Sequence, residues 1–91
     1  MDIEGRLLRF IESVERYEPA FQPDGALADL FNVLREEAQR QLPEDPIVVA
    51  VPQAEKGHMS GRSVLEAGAL AAVAQQLLTA VAESSDRPLV G

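Results

Sequence analysis

The sequence predicts a mainly α fold: a helical hairpin, a longer C-terminal helix, and one short extended segment at about 47–51. Three observations carry this. Apolar residues recur at spacings of three and four in three separate stretches. Prolines and glycines punctuate the chain between those stretches. A single run, Pro46-Ile-Val-Val-Ala-Val-Pro52, lacks helical periodicity and is rich in β-branched residues.

The first helix starts at Asp2, an N-capping residue, and extends to about Tyr17. Ile3, Leu7, Phe10, Ile11 and Val14 form its apolar stripe, and Glu4, Arg6, Arg9, Glu12, Glu15 and Arg16 its outer face. Asp2–Arg6 and Glu12–Arg16 have the favourable i, i+4 order for ion pairs, each contributing ~0.2–0.5 kcal/mol. Pro19 and Pro23 bracket a connection in which Phe21 is the expected anchor onto the core. Asp24 caps a second helix whose stripe is Leu27, Leu30, Phe31, Leu34, Ala38 and Leu42, with Glu36–Arg40 as a third outer pair. Pro43 ends it.

An isolated strand at 47–51 needs hydrogen-bonding partners from elsewhere. The sequence leaves three sources open: the tail Arg87–Gly91, the same segment of a second subunit, or a path laid across the helices. The flanking prolines suit an edge position. Residues 53–62 read as a flexible polar loop. Ser63 and Glu66 have capping-box spacing, so the third helix is expected from Ser63 to Glu83. Leu70, Val73, Leu77 and Val81 form one side, joined by Ala74 and Leu78. Gly68, Ala72, Gln75, Gln76 and Thr79 form the other, and no charged residue occurs between Ala67 and Ala82. Residues 1–83 make a single domain on this reading, and 84–91 a tail.

The formal charge is −7, and most of it lies early: residues 1–46 hold eleven acids and five bases. Such a surface repels phosphate backbones and anionic bilayers, which argues against nucleic-acid and membrane partners. Gln75, Gln76 and Thr79 interrupt the apolar stretch at 64–82, which otherwise has the length of a membrane span. The first residues lack the basic start and apolar run of a signal peptide, so a cytoplasmic location is expected. Without cysteine there is no disulfide framework or thiolate chemistry.

Nothing in the residues names a reaction, a cofactor or a metal. His58 is the only histidine, flanked by a glycine and a flexible methionine loop, and no second ligand is spaced to join it. Two functional readings follow. In the first, the chain is a small non-catalytic interaction module, a homodimer assembled through Val49, Val51, Gly68, Ala72, Gln75 and Thr79. Its acidic outer faces would suit a partner with a basic surface. In the second, Gly57-His-Met-Ser-Gly-Arg-Ser63 binds a phosphate or carboxylate at the start of the third helix, using Gly61, Arg62 and Ser63. That loop is one residue shorter than a phosphate-binding loop and has arginine in place of lysine.

Overall fold

A computed structural model describes residues 2–86, which form four helices: α1 (Ile3–Val14), α2 (Gly25–Gln41), α3 (Pro46–Ala50) and α4 (Ala67–Asp86). The mainly helical class is as the periodicity predicts. Residues 87–91, including the tail strand considered above, lie outside the described residues.

α1 is capped as expected, with the Asp2 carboxylate accepting from the Gly5 amide at 3.0 Å. All five stripe residues are buried. The helix ends at Val14 rather than Tyr17. α2 begins at the Asp24 cap, whose side chain accepts from the Ala26 amide at 2.8 Å. Its core side differs from the expected stripe: Ala28, Phe31, Leu34 and Ala38 are buried, Leu27 and Leu42 are half-buried, and Leu30 is exposed. Phe10 and Phe31 meet across α1 and α2 with ring centroids 5.9 Å apart.

Pairings fix the helix directions. Arg6 pairs with Glu37 and Phe10 with Phe31, so α1 and α2 are antiparallel. α1 also packs extensively along α4, and the end of α1 at Val14 meets the start of α4 at Ala67 and Ala71. α2 and α4 therefore run parallel, both starting at the Pro19–Pro23 loop. The chain must return the length of α2, about 25 Å for 17 residues, before α4 can start.

None of the three i, i+4 pairs forms among the described residues. Arg6 turns instead to Glu37, and the other ion pair is Lys56–Asp29. For Arg6, the carboxylate across on α2 takes precedence over an exposed pair worth a few tenths of a kcal/mol.

The segment at 46–50 is a helical turn, not a strand. The Asp45 carboxylate accepts from the amides of Ile47 (2.9 Å) and Val48 (3.2 Å), and Pro46 occupies the first turn, where its missing amide costs nothing. Val48 points into the core while Ile47 and Val49 are exposed, a one-turn pattern that β propensity alone would not choose. The turn stops at Val51, extended as the residue before Pro52.

α4 starts four residues later than its expected cap. Ser63 is buried, donates its amide to the Pro23 carbonyl at 2.8 Å, and turns its Oγ to the Leu65 carbonyl at 2.8 Å. The orphan amides of the first turn are met by backbone: Ala67 N–H bonds the Phe21 carbonyl at 2.7 Å and Gly68 N–H the Pro19 carbonyl at 2.9 Å. Leu70, Ala74, Leu77 and Val81 face the core as expected, with Ala67 and Ala80.

Phe21 is not a core anchor. It is 41% exposed and stacks on Tyr17 at 5.1 Å, with the Arg62 guanidinium 5.7 Å from its centroid; Pro23 is the loop residue that is fully buried.

Candidate interaction surfaces

How the return connection is held decides which surfaces remain open. α2 carries a row of polar side chains at helical spacing beside its core stripe: Asp29, Asn32, Arg35 and Gln39. Gln39 donates to the Val48 carbonyl (3.3 Å) and Arg35 Nε to the Val51 carbonyl (2.7 Å). Asn32 bonds Ala54 twice, accepting from its amide at 2.8 Å and donating to its carbonyl at 2.9 Å. Asp29 pairs with Lys56 at 3.2 Å. The connection thus runs antiparallel to α2 as though beside a strand, with side chains supplying what a neighbouring ladder would. Of the three sources left open, the path across the helices is the one observed, and no second subunit is needed to satisfy these backbone groups.

The loop beyond is closed on itself. Gly57 N–H bonds the Arg62 carbonyl at 2.7 Å, and Val64 N–H the Glu55 carbonyl at 2.8 Å. Gly61, at φ +68°, makes the turn, and its carbonyl accepts from Gly25 N–H at 3.0 Å. For an anion the decisive groups are the amides of 61–64. Gly61 donates to Gly57, Arg62 to Ser60 Oγ, Ser63 to Pro23 and Val64 to Glu55. All four are engaged, Ser63 is inaccessible, and α4 begins only at Ala67. Of Gly61, Arg62 and Ser63, the residues expected above to hold an anion on the second reading, this leaves the Arg62 guanidinium, resting on Phe21. His58 is exposed on the turn, and no metal-ligand cluster occurs among the described residues.

The six residues assigned to an interface separate into two sets. Ala72, Gln75 and Thr79 share the exposed side of α4 with Gln76, and Val49 is 54% exposed on α3. Val51 and Gly68 do not belong with them. Val51 is 2% exposed, and a Cβ on Gly68 would meet Pro19 Cβ at 3.1 Å. The close approach that Gly68 permits is used within the chain, by the loop that caps α4.

α3 extends the exposed side of α4. Pro46, Ile47 and Ala50 form a shallow depression with Gln76, and Ile47 is 51% exposed. Neither 46–52 nor 67–82 contains a charged residue. An uncharged surface of two helices therefore lies on a chain whose other two long helices, α1 and α2, carry charged residues on their exposed sides beside Leu8, Leu30 and Val33. A strand reading would by alternation set Ile47 beside Val49 and Val51 and turn Ala50 to the opposite side, whereas the helical turn puts Ile47 and Ala50 together. No helix among the described residues is long and apolar enough to cross a membrane. The chain matches no family model, no curated protein and no solved structure.

Proposed function

We propose that this chain is a non-catalytic protein-interaction module that pairs with a second copy of itself through the uncharged face of α3 and α4. One observation carries the reading: Ile47, Ala50, Ala72, Gln75, Gln76 and Thr79 are exposed on two adjoining helices without a charge among them. The net charge of −7 sharpens the contrast. Two identical acidic proteins repel one another over most orientations, and an uncharged strip is where that repulsion is least. Small residues on α4 permit close helix approach, the apolar residues of α3 supply area to bury, and the glutamines can bond across a two-fold axis.

The absence of cysteine makes a clean test available. Single substitutions Ala72→Cys, Gln75→Cys, Gln76→Cys and Thr79→Cys are oxidised at low micromolar concentration beside Glu12→Cys and Glu36→Cys as controls. A disulfide requires Cα atoms within about 7 Å, so a two-fold contact on α4 makes at least one of the four cross-link much faster than either control. Equal, slow cross-linking of all six would eliminate pairing through this face.

A further inference from the structure

The uncharged face of α3 and α4 is framed by carboxylates. Glu15 lines a shallow depression with Ala67, Gly68 and Ala71, which places it where α1 borders the start of α4. Glu66, also exposed, immediately precedes that start. Leu8 and Glu4 stand seven and eleven residues before Glu15, close to two and three turns, and so follow the same edge of α1. Because α1 and α4 run antiparallel, Glu4 comes level with the end of α4. There Glu83 is exposed one turn beyond Thr79. On the opposite border, Glu44 and Asp45 precede α3 and share a depression with Pro46 and Ser84.

Among the described residues one base adjoins this frame, Arg16, and it follows Glu15 with Glu12 and Glu18 to either side. The others are placed elsewhere. Arg6 pairs with Glu37 and Lys56 with Asp29. Arg9 borders α2, Arg35 bonds the Val51 carbonyl, Arg40 lies beside Glu36 on α2, and Arg62 rests on Phe21. A two-fold contact sets one copy's frame against the other's. Both borders of the face are acidic, so like charge meets like charge whichever way the axis runs. At 0.01 M salt the screening length is about 30 Å, longer than the 23 × 20 Å cross-section of the chain, and the two frames repel in full. At 0.15 M it is about 8 Å, and only carboxylates in close opposition still repel.

We propose that self-pairing through α3 and α4 is gated by ionic strength. This rests on the pairing proposed above and adds its control. At low salt the carboxylate frames hold two copies apart; salt screens them and lets the centre close. That centre, with Ile47, Ala50 and Ala72, carries no charge, so the apolar area it buries keeps its contribution when charges are screened. The sign of the salt effect is therefore opposite to that for a basic partner on the acidic faces of α1 and α2, whose attraction salt weakens.

Sedimentation equilibrium of the full chain at neutral pH, in about 10 and about 300 mM sodium chloride, reads the dimer dissociation constant on either side of the screening range. Pairing should be at least about tenfold tighter at the higher salt. Glu15→Gln and Glu83→Gln, each at an exposed position of the frame, should tighten pairing at low salt and shrink the salt response. Glu36→Gln, exposed on α2 beside Arg40, removes the same charge away from the frame and should do so far less. A dimer whose dissociation constant is unchanged or rises with salt overturns the gating and leaves the pairing standing. So does a Glu36→Gln effect as large as those of the frame variants. A monomer at both salt concentrations, up to millimolar chain, overturns the pairing and the gating together.

Discussion

Asn32→Ala tests the way α2 holds the connection to α4. Asn32 donates to and accepts from the backbone of Ala54, which is 5% exposed. The substitution removes two hydrogen bonds, each contributing about 0.5–1.5 kcal/mol, and leaves a buried amide and carbonyl without partners. The gross loss is about 2–3 kcal/mol, which alanine's better helix propensity offsets by about 0.5 kcal/mol. A net loss of about 2 kcal/mol is a large share of the roughly 5–14 kcal/mol available to a domain of this length. At about 4–8 °C per kcal/mol, the melting point falls by roughly 8–16 °C. Guanidinium unfolding followed by helical circular dichroism gives the stability, and hydrogen exchange of the Ala54 amide locates the opening. Gln75→Ala is the control: it removes an exposed amide from α4 that reaches only Thr79 Oγ, at 3.4 Å, and should change stability little. An Asn32→Ala loss below about 0.5 kcal/mol, with Ala54 still protected, would refute the ladder.

Other substitutions probe separate joints, each read by chemical unfolding. Gly25→Ala drives a Cβ into the Gly61 carbonyl and to 2.7 Å from Lys56 Cδ, so it should destabilise by about 2–3 kcal/mol. Gly61→Ala meets no atom within 4 Å and should cost only the left-handed backbone penalty, about 1–2 kcal/mol. Asp45→Ala deletes both side-chain bonds at the start of α3 and should cost about 1 kcal/mol. Phe31→Ala opens a fully buried site against Phe10 and should cost about 3–5 kcal/mol.

Much of the fold was readable in the residues, for identifiable reasons. The stripe of α1 and the core side of α4 rest on strong periodicity, and Asp2 and Asp24 stand where orphan amides need an acceptor. The misreadings have two causes, a local start signal outweighed by β propensity at 46–50 and tertiary partners that override local pattern elsewhere. Ile47, Val48 and Val49 favour a strand by type, yet Asp45 and Pro46 start a helix there, a signal present in the sequence. Ser63 has the spacing of a cap, but Pro23 and Leu65 claim its hydrogen bonds. Asn32, Arg35 and Gln39 resemble any solvated helix face; only their return at spacings of three and four beside the core stripe hinted at a partner. The candidate surface was half readable. The uncharged run marked Ala72, Gln75 and Thr79, whereas the burial of Val51 and the Pro19 contact of Gly68 depend on contacts distant in sequence.

The most direct test of pairing through α3 and α4 is the molar mass in solution, by light scattering across a concentration series. Ala72→Glu and Ile47→Glu, at exposed positions, are measured beside the unaltered chain. Self-association predicts a mass approaching twice 9.9 kDa that either substitution returns to 9.9 kDa. A mass of 9.9 kDa for the unaltered chain up to millimolar concentration, or a dimer indifferent to both substitutions, would contradict it.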